Sequence, residues 1–78
     1  MKELLNLIIT NLVGNPEDVQ ITEMEGENSS IYEVRVHRED LGKVIGKQGR
    51  TAKSIRTILN AAASRQGKRA LMEIIDQE

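Results

Sequence analysis

Two glycines enclose a basic and an amide side chain near the middle of the chain, at Gly46-Lys47-Gln48-Gly49, and Arg50 follows directly. Glycine accepts positive φ angles and lets another backbone approach closely, because it has no side chain. A helical pattern begins after Gly49, and the first N–H groups of a helix lack partners within it and carry the positive end of its dipole. Lys47 and Arg50 add positive charge, and Gln48 donates or accepts hydrogen bonds. This spacing predicts an anion site that suits a phosphate group.

The positive charge of the chain is concentrated around these glycines. The 78 residues carry a net charge of −1. Residues 1–34 hold one lysine and seven acids, a local charge of −6, whereas residues 35–56 hold seven cations and two acids, a local charge of +5. The cations of the second segment are Arg35, Arg38, Lys43, Lys47, Arg50, Lys53 and Arg56. Such a local excess attracts an anionic partner although the whole chain is weakly acidic.

Two nucleotide-binding motifs are related to this loop but do not fit it. A P-loop needs four residues between its glycines and a hydroxyl residue after its lysine. Here Gly42 and Gly46 are separated by three residues, and Lys47 is followed by Gln48. The dinucleotide fingerprint needs another glycine spacing and a larger parallel sheet. A structural alternative stays open, in which Gly46 and Gly49 only form a tight turn between two helices.

The composition excludes several other kinds of site. There is no cysteine and His37 is the only histidine, so disulfides, thiolate sites and a zinc cluster are excluded. No catalytic triad can be assembled, and the dipole at the start of a helix explains Glu39 and Asp40 without catalysis. Glu3 and Asn6 interrupt the apolar residues near the N-terminus. We therefore expect a cytoplasmic protein that is not an enzyme, uses no cofactor or metal and does not span a membrane.

Hydrophobic periodicity predicts six elements in the order helix, strand, strand, helix, helix, strand. Their ranges are about 2–13, 19–24, 31–36, 39–45, 50–66 and 70–75. The residues predicted to face the core are Leu4, Leu5, Ile8 and Leu12 on the first helix and Ala52, Ile55, Leu59 and Ala62 on the third. The first two strands are expected to pair antiparallel, and a crossover through two helices to return the last strand parallel to the second. The predicted fold class is α+β, a single domain over residues 1–78, with three helices on one face of a three-stranded mixed sheet.

The run Val44-Ile45-Gly46-Lys47-Gln48-Gly49, followed by Ile55, resembles the loop of the KH family of RNA-binding modules. The order of elements resembles the type II, or prokaryotic, KH fold, and the resemblance covers essentially the whole chain. The length is similar to that of the small bacterial single-KH proteins of the KhpA (YlqC-like) family. Ala52 departs from the pattern, since many KH domains have a larger aliphatic residue there, and it is expected to widen or soften the groove floor.

The resemblance implies that the chain binds single-stranded RNA, about four nucleotides per domain, as an RNA chaperone or post-transcriptional regulator. The residues implied to contact RNA are Gly46, Lys47, Gln48 and Gly49 on its backbone, and Val44, Ile45, Val34 and Val36, where not in the core, in an aliphatic groove for the bases. Candidate phosphate contacts next to the loop and on the flanking helices are Arg50, Lys43, Lys53 and Arg56, which otherwise form solvated faces. The absence of Phe and Trp excludes an aromatic stacking platform.

Apolar residues outside the predicted core faces raise the question of a protein partner. Ile58 and Ala61 lie beside the core stripe of the third helix, and Leu7 and Ile9 widen the apolar arc of the first. These residues either widen the core or form a partner surface, because so small a domain buries little surface. The resemblance implies self-association or pairing with a second KH-containing protein. The alternative function is therefore an interaction adaptor that uses the KH fold mainly as a dimerisation module, with weak RNA contact.

Overall fold

A computed structural model describes residues 1–77 and contains the predicted order of elements. The helices and strands are α1 (Lys2–Leu12), β1 (Gln20–Glu25), β2 (Ser29–His37), α2 (Leu41–Ile45), α3 (Arg50–Ser64) and β3 (Arg69–Gln77). Short 3-10 turns occupy Pro16–Asp18, Arg38–Asp40 and Lys47–Gly49. Within the described residues, no helix has the length and apolar character needed to cross a membrane. The prediction of an α+β fold with three helices and three strands is confirmed.

The sheet has β2 at its centre, with β1 and β3 on its two sides. β1 pairs antiparallel with β2, and β3 pairs parallel with it, so that Tyr32 lies between Glu23 and Met72. The parallel pairing requires a crossover, which α2 and α3 supply. The predicted mixed sheet is therefore confirmed, and the two-glycine loop lies inside the crossover.

A single core joins the helices to one face of the sheet. Buried and half-buried residues alternate along β2, which places Tyr32, Val34 and Val36 under the helices and leaves the other face open. The buried helix residues are Leu5 and Ile9 of α1, Val44 of α2, and Ala52, Ile55, Leu59 and Ala63 of α3. Side chains on one face of a helix recur three or four residues apart, and only the row that faces the sheet is buried.

Three predicted core positions are therefore wrong. Leu4 and Leu12 are exposed because the row that packs on α1 runs through Leu5 and Ile9. On α3 the row continues to Ala63, and Ala62 is half-buried beside it.

Two side chains of α3 cover part of the free edge of β3. The Oδ1 atom of Asn60 accepts the N–H of Ala70 at 3.0 Å, and Nη2 of Arg56 donates to the carbonyl of Met72 at 3.4 Å. Gly67, with φ of 71°, ends the helix just before this strand. The third helix is thus fixed to β3 by polar contacts as well as by its buried face.

Candidate nucleic-acid interface

Gly46 joins the end of α2 to the loop in a conformation that only glycine adopts readily. Its φ and ψ are 78° and 172°, a positive-φ conformation that lies outside the left-handed helical region. A Cβ atom at this position would lie 2.6 Å from Cβ of Thr51 and 2.8 Å from its backbone nitrogen. The loop is therefore folded so closely against the start of α3 that no side chain fits at Gly46.

The tip of the loop presents two exposed side chains, Lys47 and Gln48. Gln48 has φ of 58° and ψ of 25°, the left-handed region that costs a residue with a Cβ about 1–2 kcal/mol. Its Oε1 accepts a hydrogen bond from Nη2 of Arg50 at 3.2 Å. The N–H of Gly49 donates to the carbonyl of Gly46 at 3.1 Å and closes the turn. Gly49, with φ of 74° and ψ of 12°, also takes the left-handed helical conformation.

The loop delivers unpaired donors to the surface at the start of α3. Gly49 occupies the N-cap position of this helix of 15 residues and makes no side-chain capping bond. The N–H of Arg50 donates to the carbonyl of Lys47, whereas the N–H groups that follow it in the first turn have no partner within the helix, and the helix dipole is positive there. With Lys47 and Arg50 both exposed beside them, these donors suit a phosphate oxygen.

The five predicted cations near the loop fall into two groups. Lys47, Arg50 and Lys53 are exposed, and no ion pair within residues 1–77 engages them. Lys43 instead lies 3.4 Å from Oδ1 of Asp40, and Arg56 is engaged by the carbonyl of Met72. Fewer cations are thus available to an anion than the sequence indicates.

The predicted aliphatic groove requires a correction. Val44, Val34 and Val36 are fully buried in the core, because they face the interior between helices and sheet, and they have no surface to offer a base. Ile45, the last residue of α2, is 39% exposed. Ile74 is half-buried on β3, the strand against which α2 packs. Of the four residues predicted to line the groove, Ile45 is therefore the one with apolar surface exposed beside the loop.

Ala52, in the first turn of α3, is also buried in the core. Its small side chain therefore affects how closely the start of this helix approaches the sheet. An effect on the groove floor can only be indirect, through the position of the helix.

Asp40 is the residue whose role sequence reasoning missed. It is 1% exposed, its Oδ1 accepts the N–H of Gly14 at 3.0 Å, and its Oδ2 accepts the N–H and the side-chain amide of Asn15 at 3.0 and 3.1 Å. Burial by itself raises the pKa of Asp40, but the hydrogen bonds from Gly14 and Asn15 and the nearby Lys43 outweigh it, so the pKa lies below its ordinary value. The carboxylate binds the segment after α1 and does not cap its own helix. The sequence offers no local signal for a contact across 25 residues.

Part of α3 faces away from the core and carries apolar residues. Ile58 is 47% exposed, and Ala61 and Arg65 are exposed on the turns that follow. On α1, Leu7 is exposed, whereas Ile9 belongs to the core. Of the two alternatives that the sequence leaves open for these residues, Ile9 widens the core, whereas Ile58 and Leu7 remain exposed.

The order of elements and the two-glycine loop between α2 and α3 define a KH domain of the type II arrangement. The family model described as "KhpA/KhpB, KH domain" matches residues 2–74. The chain therefore belongs to the KhpA/KhpB family of KH domains.

Curated relatives match over nearly their full length. "RNA-binding protein KhpA" of Clostridium perfringens is 55% identical over 75 residues, which cover 96% of this chain and 100% of that protein. The protein of the same name from Chlamydia pneumoniae is 50% identical over 78 residues and is aligned over 100% of both chains. The one from Aquifex aeolicus is 46% identical over 76 residues, 97% of this chain and 96% of the relative. No solved structure matches the chain.

Proposed function

We propose that this protein binds single-stranded RNA by holding the sugar-phosphate backbone against the loop of residues 46–49. The observation that carries the proposal is the loop itself, in which Gly46 leaves no room for a side chain while Lys47 and Gln48 are exposed at the tip. The unpaired N–H groups at the start of α3 and the side chain of Arg50 supply donors for phosphate oxygens. The names of the relatives from Clostridium perfringens and Chlamydia pneumoniae support RNA as the ligand.

In this proposal the bases lie on the apolar surface between α2 and β3. Ile45 and Ile74 are the aliphatic residues available there, and Val44 supports the surface from below. Aliphatic walls bind bases without the strong stacking that aromatic rings provide. Modest sequence preference is therefore expected, and useful affinity requires a second RNA-binding domain that raises the effective concentration. Such a protein suits the role of an RNA chaperone or post-transcriptional regulator in the cytoplasm.

The test is a double substitution at the exposed tip, Lys47→Asp with Gln48→Asp. We expect it to abolish RNA binding in a fluorescence anisotropy assay while leaving the folded circular dichroism spectrum unchanged, because both side chains are exposed. Lys2→Asp with Asn6→Asp is the matched control, since it changes the net charge by the same amount on exposed residues of α1. Equal loss of binding in both variants would show that net charge, and not the loop, determines affinity.

A second proposal concerns a protein partner, either a second copy or another KH-containing protein. It is supported by the exposed Ile58, beside which the small Ala61 permits close approach of another helix, and by the shared family name of KhpA and KhpB. We expect Ile58→Asp to lower the mass measured by light scattering at high protein concentration. Leu71→Asp on the open face of the sheet is the matched control, because both side chains are 47% exposed. A mass that is monomeric and unchanged by Ile58→Asp rejects the homodimer.

The two proposals respond differently to salt. RNA binding through phosphates weakens steeply as the ionic strength rises, because counterions are released from the RNA. An apolar contact around Ile58 does not weaken in this way. A salt titration of each interaction therefore separates RNA binding from a function as an adaptor.

A further inference from the structure

Lys43 is directed away from the loop that the other cations surround. Its Nζ lies 3.4 Å from Oδ1 of Asp40, and a Cβ added to Gly14 would lie 3.1 Å from the same Nζ. Asp40 and Gly14 are at the N-terminal end of α2, whereas Gly46 follows its C-terminal end. Helical side chains tilt toward the N-terminus of their helix, which favours this direction for Lys43.

The carboxylate that holds Lys43 is itself fixed in place. Both oxygens of Asp40 accept hydrogen bonds from Gly14 and Asn15, and the side chain is almost fully buried. Solvent-exposed ion pairs are weak because both side chains move freely and water screens them. Here the carboxylate is already buried and immobile, so only the lysine loses side-chain freedom on pairing, and a partly buried pair is screened less than an exposed one. Lys43 therefore has a stable alternative to any phosphate.

We propose that Asp40 is a positioning residue that withholds Lys43 from RNA, so that Lys47, Arg50 and Lys53 supply the phosphate contacts. The inference rests on the proposed RNA-binding function and deepens it by naming which cations act. Without Asp40, the side chain of Lys43 is free to turn toward the loop, since α2 has only five residues, about 7.5 Å of helix. Asp40 thus determines how many cationic side chains contact the RNA backbone.

The experiment measures the affinity for a fluorescein-labelled single-stranded oligoribonucleotide of mixed sequence at salt concentrations from roughly 50 to 200 mM. The slope of log K against log salt has a magnitude of about 0.7 for each phosphate that the protein neutralises on a single strand. We expect Lys47→Gln to reduce the magnitude of the slope by about 0.7 and Lys43→Gln to leave both slope and affinity unchanged. Asp40→Asn should increase the magnitude by about 0.7, and Asp40→Asn with Lys43→Gln should restore the wild-type value.

Several outcomes would overturn the inference. A Lys43→Gln effect as large as that of Lys47→Gln shows that Lys43 contacts RNA in the native protein, and a wild-type slope in a folded Asp40→Asn variant shows that Asp40 does not withhold it. If Asp40→Asn does not fold, Lys43→Gln still tests whether Lys43 contacts RNA, because the Lys43 side chain is exposed, and loss of RNA affinity in that variant overturns the inference. Wild-type protein without salt-dependent RNA binding rejects the proposed function and this inference together. A purely structural role of Asp40 would change stability without changing the slope.

Discussion

Gly46→Ala is expected to be one of the most costly single-methyl substitutions in the protein. Residues other than glycine pay on the order of 1–3 kcal/mol for the backbone conformation of Gly46. The new methyl would also lie 2.6 Å from Cβ and 2.8 Å from the backbone nitrogen of Thr51, and overpacking of this kind costs about 1–3 kcal/mol more. The sum, about 2–6 kcal/mol, is a large share of the roughly 4–12 kcal/mol expected for a domain of this length.

Gly49→Ala is the matched control three residues away. Gly49 also has a positive φ, but a Cβ there meets no atom within 4 Å, so only the left-handed conformation is penalised, by about 1–2 kcal/mol. Thermal unfolding followed by circular dichroism measures both, since 1 kcal/mol lowers Tm by about 4–8 °C in a domain of this size. Thr51→Ala in the Gly46→Ala background should recover only part of the loss, because it removes the nearby Oγ1 of Thr51 but leaves both its Cβ and its backbone nitrogen in place. Equal destabilisation by Gly46→Ala and Gly49→Ala would refute this reasoning.

Two further predictions concern stability. The pKa of Asp40 is below its ordinary value of 3.8, so its contribution to the free energy of unfolding is fully present above that pH and is lost as the pH falls through the lowered pKa. Urea unfolding at several pH values should therefore show the gap between wild type and Asp40→Asn beginning to close as the pH falls below 3.8 and closing as the pH passes the lowered pKa, and a constant gap would contradict the assignment. Leu59→Ala empties a fully buried site and should cost about 2–5 kcal/mol in urea unfolding, whereas Ile58→Ala on the exposed face should cost much less. Similar losses for both would contradict the core described for α3.

The elements and their order could be predicted because each carries a local pattern. Alternation along residues 31–36 predicts β2, and the spacing of Ala52, Ile55 and Leu59 predicts α3, both of which the structure contains. The position of the loop follows equally from Gly46 and Gly49. These features depend on neighbours in the sequence, so the sequence is sufficient to find them.

The groove residues and the role of Asp40 could not be predicted in the same way. A strand pattern separates two faces but does not say how deeply the covered face is buried, so Val34 and Val36 remained candidates for base contact. For Val44 the sequence likewise does not distinguish full burial from base contact, because α2 is too short to show a clear periodicity. Asp40 meets Gly14 and Asn15 only after α1 and α2 have packed together, and its pairing with Lys43 depends on that packing. Contacts between segments that are distant in the sequence produce no periodic pattern from which they could be predicted.

The covering of β3 by Asn60 and Arg56 has a consequence for the behaviour of the protein at high concentration. A free strand edge is a template on which another chain can add a strand, and such addition leads to aggregation. Here the N–H of Ala70 and the carbonyl of Met72 are already engaged. On the opposite edge, β1 carries Glu23, which accepts a hydrogen bond from Tyr32, and Glu25, which pairs with Lys68, and charged side chains on an edge strand disfavour the addition of another strand. These contacts make strand addition less favourable at the beginning of β3 and along β1, so the edges of the sheet are poor places for a second copy to add a strand.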